Sequence, residues 1–246
     1  MNSAGTTLDP AEIDRFAAQS ADWWNPTGSF RPLHRLNPVR LAFIRDALLA
    51  HFGRDLRSLR PFEGLSLVDI GCGGGLTAEP MARLGFAVTG IDAAAPAIDV
   101  ARAHAEGSGL TIDYRTASIE SIAREGTVFD VALALEIVEH VADGEAFFAA
   151  LGAIVRPGGV AIGATLNRTA RSFALAIVAA EYVLGWLPRG THDWRRFVRP
   201  AEFVLALRRR GFAATRLAGL SYDPFAAQWS VSEDLSVNYM LSAVRR

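Results

Sequence analysis

The chain has 246 residues, a formal charge of -1, half its residues hydrophobic and 21% charged, which suits one folded α/β domain with a sizeable core and excludes disorder. The near-neutral balance offers no electrostatic footprint for nucleic acid as a partner. All 25 basic residues are arginine and Cys72 is the single cysteine, so Schiff-base and lysine-base chemistry, an intrachain disulfide and a multi-cysteine metal site are excluded, and a reduced cytosolic setting is expected.

In chain order, Asp9-Pro10-Ala11-Glu12 predicts an N-cap, a proline in the first helical turn and a capping-box glutamate, opening a short helix through about Gln19. Asn37-Pro38 predicts a second helix start, running toward His51. From Leu65 strands and helices alternate. Leu65–Ile70 reads as a strand entering the glycines at 71–75, and Leu76–Leu84 as a helix. Phe86–Ile91 is the second strand, Pro96–Glu106 a helix, Leu110–Tyr114 the third strand and Phe129–Leu135 the fourth. A helix at Glu145–Val155 and a fifth strand at Gly159–Thr165 follow. This alternation specifies a parallel sheet covered on both faces. Regularity lapses after Thr165 and resumes with a helix near Pro200–Arg210 and strand-like runs at Ala213–Leu220 and Val237–Val244. The expected organisation is one domain over 1–246: a helical cap at 1–60, a core at 65–165, an inserted segment at 166–199 and a closing unit at 200–246. The first residues show no charged start followed by an apolar run, so no secretion signal is expected.

Val68-Asp69-Ile70-Gly71-Cys72-Gly73-Gly74-Gly75 places a glycine turn between strand and helix, where the backbone must bend sharply and approach a ligand with no Cβ between. The second strand ends in Asp92, at the usual distance for a carboxylate that accepts from both ribose hydroxyls of a nucleotide. Gly73-x-Gly75-x-x-Ala78 also satisfies the dinucleotide fingerprint, so these residues alone admit an NAD-linked oxidoreductase. The segments Phe129–Glu136 and Val155–Val160 resemble instead the fourth-strand and pre-fifth-strand segments of class I methyltransferases. A nucleotide at this turn would meet Gly71 and its neighbours and lie along Leu135, with Ala117 and Ser118 bounding the base. Cys72 reads as a small filler, and Asp69 as fixing the loop or orienting the cofactor's amino group.

Further stretches carry a narrower resemblance: Asp22-Trp23-Trp24-Asn25-Pro26, Phe30 to Arg40 (with Leu33-His34-Arg35-Leu36-Asn37-Pro38), Glu136-Ile137-Val138-Glu139-His140-Val141, Thr165–Arg168, Gly190-Thr191-His192-Asp193 and Val237–Leu241. Over nearly the whole chain the sequence resembles the ubiquinone-biosynthesis O-methyltransferase family. The resemblance implies a class I, Rossmann-like fold with a seven-stranded, mostly parallel sheet and helices on both faces. It implies S-adenosyl-L-methionine as cofactor, held by Arg40, Gly71, Asp92 and Leu135, with Arg40 gripping the cofactor carboxylate in a two-pronged contact that suits guanidinium. The implied substrates are a polyprenyl catechol and a demethylated ubiquinol, in or near a ubiquinone-biosynthesis complex. Methylation at a quinone ring carbon is the competing reaction within the fold. The stretch Arg54–Ser66 departs from the family by its greater length.

Methyl transfer to a phenol needs the ring oxygen deprotonated, and a phenol's pKa lies near about 10. If the chain turns helically after the fourth strand, Glu136, Glu139 and His140 share one face at i, i+3 and i+4. They are then either ligands for a divalent ion, magnesium by the resemblance, or His140 serves alone as the base, with a solvated helix start as the bland alternative. His192 and Asp193 are candidates to cap the pocket or to hold a loop, and Trp23 and Trp24 to cover the site or pack. Ser172–Leu187 is nearly all apolar, with Tyr182 and Trp186 toward one end. Six arginines against Glu181 and Asp193 between 168 and 199 leave a local excess of +4. That composition suits either a buried helix or peripheral contact with anionic lipid on the inner face of the cytoplasmic membrane.

Overall fold

The computed structural model describes residues 7–175, 177, 193–223, 226 and 228–246. Two helices precede the sheet, α1 at Pro10–Ala18 and α2 at Arg31–Phe52. The regular part then runs β1 Ser66–Ile70, α3 Ala78–Arg83, β2 Ala87–Asp92, α4 Ala95–Gly107, β3 Asp113–Thr116, α5 Ile119–Glu125, β4 Phe129–Leu135, α6 Gly144–Ile154 and β5 Val155–Leu166. A short turn of helix α7 at Ala170–Ser172 precedes α8 at Pro200–Arg209 and the strands β6 Phe212–Asp223, β7 Gln228–Ser232 and β8 Asn238–Arg245.

All eight strands form one sheet in the order β3-β2-β1-β4-β5-β8-β6-β7. The strands β1 to β5 pair in parallel, and β8, β6 and β7 continue the sheet antiparallel. The chain winds outward from β1 through β2 to β3, then returns to lay β4 on the other side of β1. At that reversal the connections leave in opposite directions, which opens a crevice at the carboxyl ends of β1 and β4. Successive residues of β1 face opposite layers, as the pleat requires. Leu67 packs with Phe43, Ile44 and Leu48 of α2, whereas Val68 packs with Phe147 and Leu151 of α6 and Phe203 of α8. Burial of both faces is why the central strands read as apolar runs rather than as alternation.

Four expectations from the sequence change. The second helix starts at Arg31, with Pro32 in its first turn, and Pro38 lies inside it. A proline pair spaced six residues apart left two allowed starts, and packing of Leu36 and Asn37 in the interior selects the earlier one. The third strand begins at Asp113, because the Leu110 amide donates to the Ala105 carbonyl and residues 108–110 finish α4. The sheet has eight strands, not seven: the edge strand β7, pairing Gly219–Asp223 of β6 with Gln228–Ser232, is five residues long and has only Trp229 and Val231 as apolar positions. Glu12 does not close a capping box. Asp9 accepts from the Ala11 amide as N-cap, while the Glu12 carboxylate is drawn to the Arg15 and Arg196 guanidinium groups and to the His140 ring. Most of Ser172–Leu187, and Gly190, Thr191 and His192, lie outside the described residues. Among the described residues no helix is long and apolar enough to cross a membrane.

Candidate active site

A cavity of about 910 Å³ lies at the carboxyl ends of β1, β2 and β4. That is near the upper end of the roughly 300–1,000 Å³ usual for small-molecule sites. Arg40, Gly71, Asp92, Leu135, Glu136 and His140 all line it, so six of the seven expected site residues meet in one space; Glu139 is buried behind them.

The glycine turn is built by two close approaches. Gly71 has φ 70°, and a Cβ there would stand 2.8 Å from the Ile137 side chain. Gly73 has φ 52°, and a Cβ there would stand 2.2 Å from the Trp23 ring. Glycine is therefore required at both by conformation and by space. Asp92 secures the turn from the neighbouring strand: its Oδ2 accepts from the Gly73 amide at 2.9 Å and its Oδ1 from the Ala94 amide at 2.8 Å. Burial pushes the Asp92 carboxyl up, while those backbone bonds pull it back toward ionisation. Each oxygen keeps a second lone pair for a ligand hydroxyl. Ala117 and Ser118 line the cavity as expected, Ser118 capping α5 with its hydroxyl.

Beside the turn stands a buried pair of opposite charges. Arg40, on α2, donates to Asn37 Oδ1 at 3.1 Å, and its Nη1 lies 4.0 Å from Glu136 Oε1. Its Nε has no hydrogen-bond partner among the described residues, nor has Asp69 Oδ2. Burial pushes the Asp69 carboxyl up to about 7, against the opposing pull of Arg40. Buried groups left this way cost about 1–3 kcal/mol each unless a ligand meets them. One unmet donor and one unmet acceptor, on the wall of the same cavity, suit a ligand carrying both a carboxylate and an ammonium. A sulfonium amino acid has both, so the residues present fit that group. Asp69 does not fix the loop, since the turn's amides are met by Asp92 and by the Ile91 carbonyl.

The segment after β4 does not form the expected helical face. Only Val138–His140 make a 3-10 turn. Glu136 is held at φ 52°, a left-handed conformation that residues with a Cβ adopt rarely. Glu139 turns inward, where its Oε2 accepts from the Thr165 hydroxyl at 2.8 Å and its Oε1 has no hydrogen-bond partner among the described residues. Burial and then the adjacent Glu136 carboxylate push Glu139 well above the usual carboxylate range. His140 turns the other way, its Nδ1 2.9 Å from Glu12 Oε2 on α1, a bond that holds Glu12 below the usual carboxylate range. The three-ligand arrangement of Glu136, Glu139 and His140 is thus not brought together. Among the described residues no three of His, Cys, Asp and Glu stand together as a metal group. The reason is local: a 3-10 turn after a left-handed residue separates side chains that an α-helix would stack.

Trp23 packs and lines the cavity, whereas Trp24 packs beside the turn. Trp23 stacks on Phe30 with centroids 3.8 Å apart and lies over Gly73 and Gly74. The Trp24 indole N–H donates to the Gly74 carbonyl at 2.8 Å while its ring stacks on His104. Cys72 is buried, and burial pushes its thiol up, which suits a filler rather than a nucleophile. Asp193 caps the turn Trp194–Arg196 by accepting from the Arg195 amide, a loop contact. Two contributors escaped the sequence reading. Asn37 anchors Arg40 and binds the Leu76 carbonyl at 2.8 Å, and α1 delivers Glu12 and Phe16 to His140. Asn37 was legible only as a helix signal, and nothing local in the sequence links residue 12 to residue 140.

A family model described as a methyltransferase domain matches residues 40–217. A ubiquinone biosynthesis O-methyltransferase of Paramagnetospirillum magneticum is 55% identical over 97% of this chain and 96% of that protein. A protein of the same name from Sinorhizobium fredii is 52% identical over 99% and 98%. Among solved structures, magnesium protoporphyrin IX methyltransferase from Synechocystis with bound SAH superposes with a TM-score of 0.66 at 19% identity, over 95% of this chain and 98% of that one. A SAM-dependent methyltransferase from Thermotoga maritima gives 0.65 at 15% identity, over 96% and 99%. At those identities the structures speak for the fold alone.

Proposed function

The chain belongs to the ubiquinone biosynthesis O-methyltransferase family, and on that premise we propose how the single domain over 1–246 carries out the reaction. The protein is an S-adenosylmethionine-dependent O-methyltransferase whose substrates are quinone-type precursors. The finer reading is methylation of a ring hydroxyl on a polyprenyl catechol and on a demethylated ubiquinol. One observation carries the site assignment: the unmet Arg40 Nε and Asp69 Oδ2 on the wall of a cavity that Asp92 also lines.

S-adenosylmethionine, when bound, supplies a methyl group on a positively charged sulfur. Arg40 pairs with its carboxylate, Asp69 with its ammonium, and Asp92 with its ribose hydroxyls. Gly71 lets the backbone approach, and Leu135 lies along the nucleoside. Leu36, Leu220, Trp229 and Val237 offer an apolar wall for the acceptor ring and its chain. His140 would take the ring hydroxyl's proton, leaving the ring oxygen to accept the methyl group that the cofactor would supply. The proton held by His140 would then pass to solvent. Holding donor and acceptor in line and excluding water supplies the rest of the rate.

A second reading has one observation behind it. Glu139 Oε1 is buried without a partner next to Glu136, and two carboxylates so placed fit a hard divalent cation such as magnesium, which would supply electrostatic stabilisation of the phenolate. His140 stands apart from that pair. The deciding experiment is transfer of label from S-adenosylmethionine to a short-chain prenyl catechol, with magnesium and with chelator. Transfer is expected in both; no transfer to the catechol in either defeats the proposed function, and loss only in chelator moves the role from His140 to the carboxylate pair.

For the inserted segment the proposal is peripheral docking on anionic lipid by Ser172–Leu187 and its flanking arginines. Phe173 and Leu175, at its described start, are each 46% exposed. Flotation with anionic vesicles is expected for the intact protein and not for a variant lacking the segment; equal behaviour of the two rejects it.

A further inference from the structure

We infer that Glu12 is a positioning residue for His140, so that the reacting site is complete only when the N-terminal helix is docked across the cavity. The inference rests on the proposed role of His140. It goes beyond that role by assigning its orientation to a helix 128 residues away in sequence.

Two residues of α1, one turn apart, grip the imidazole. Glu12 Oε2 lies 2.9 Å from Nδ1, and the Phe16 ring meets the imidazole edge-on, with centroids 5.3 Å apart and planes at 86°. Positions i and i+4 of a helix share a face, so the two contacts arrive together or not at all. An ionised carboxylate only accepts, so Nδ1 carries the hydrogen and the lone pair falls to Nε2. That tautomer is the one a proton acceptor at the cavity needs, and the edge contact with Phe16 sets the ring plane. His140 itself sits on a three-residue 3-10 turn with its side chain only 10% exposed.

Glu12, which also lies 3.7 Å from Arg196, is not the helix's sole tie. The Asp9 carboxylate binds Arg196 at 3.0 Å, the Thr7 amide donates to Glu120 at 2.6 Å, and the Ala142 amide donates to the Thr7 carbonyl at 2.9 Å. These anchors sit ahead of the helix and survive the loss of Glu12. Yet no residue inside α1 is fully buried. The helix lies over the cavity, with Ile13, Phe16 and Gln19 among the lining and Ile13 and Ala17 packed against the Trp23 cluster. Segments with few buried contacts are the ones that open at little cost, and closing of such segments commonly completes a catalytic constellation.

The test is a double-mutant cycle on kcat at saturating cofactor and prenyl catechol, with cofactor binding and thermal melting measured on each variant. Glu12→Ala is expected to lower kcat by roughly 10–100-fold, the usual cost of losing an orienting partner, while leaving cofactor affinity unchanged. In the His140→Ala background the same change is expected to cost nothing further. Glu12→Gln, which keeps an accepting oxygen at the same reach, is expected to retain most activity. Glu12→Asp, which keeps the charge but shortens the reach, is expected to lose it. An equal loss from Glu12→Ala in both backgrounds, or Asp active and Gln inactive, overturns the positioning role while leaving His140 in place. If His140→Ala leaves kcat unchanged, the role of His140 itself fails and the inference falls with it.

Discussion

Asp92→Ala is expected to weaken S-adenosylmethionine binding by roughly 10²–10⁴-fold. Two ribose hydroxyls donating to an ionised carboxylate contribute about 1.5–3 kcal/mol each, and each 1.4 kcal/mol is about tenfold. The same change strips the Gly73 and Ala94 amides of their acceptor, so the turn loses its fixed shape as well as its ligand contact. Calorimetry with the cofactor and with its demethylated product reads the loss. Asp92→Asn separates the two contributions, because its single carbonyl oxygen can serve one amide but not both amides and two hydroxyls. Wild-type affinity in Asp92→Ala, in a protein that still melts cooperatively, would place the nucleoside elsewhere.

Arg40→Met is expected to weaken cofactor binding by a similar roughly 10²–10⁴-fold, since a two-pronged guanidinium–carboxylate contact involves two charge-assisted bonds. Its distinguishing signature is protonic. With Asp69 pushed up to about 7, the wild-type protein without cofactor holds that carboxyl about half protonated at neutral pH. An ammonium group placed beside it favours the carboxylate, so cofactor binding releases a proton and affinity rises as pH increases from about 6 to 8. Arg40 pulls the Asp69 value down, so its removal raises that value further and moves the proton release to higher pH. Calorimetry in buffers of different ionisation heat measures both. For stability the sign runs the other way. A folded-state value above the unfolded value near 3.8 means the folded protein binds more protons between the two, so stability without cofactor declines as pH rises through that window and levels off above it. In Arg40→Met the decline extends to higher pH. Proton release that is identical in the two proteins would show that Asp69 does not face the ammonium.

Much of the site was legible because its logic is local. A glycine turn after an apolar strand, followed by a carboxylate at the end of the next strand, records the sharp bend and the acceptor that a nucleoside requires, and both stand where spacing put them. The element boundaries followed where a cap or an apolar run marked them, as at Phe129–Leu135. They slipped where two signals competed, as between Pro32 and Pro38 of α2. The edge strand β7 was missed because its alternation is only five residues long, with Trp229 and Val231 as its two apolar positions. The cluster after β4 misled for a different reason. Glu136, Glu139 and His140 match a helical spacing, but the left-handed turn at Glu136 breaks the helix before it starts, and a non-glycine residue in that conformation leaves no mark in the sequence.

By itself the sequence determined the parallel core and the glycine turn after its first strand, because each depends on residues near one another along the chain or on periods of two and 3.6, and through resemblance the reaction family. Only the tertiary structure decided which charges meet. It set Arg40 of α2 beside Asp69 of β1 and aimed Glu139 at Thr165. It carried Glu12 across the cavity to His140. Those pairings come from helices and loops folding back over the sheet, and a burial cost is relieved only by whichever partner lies closest in space, however far away it lies along the chain.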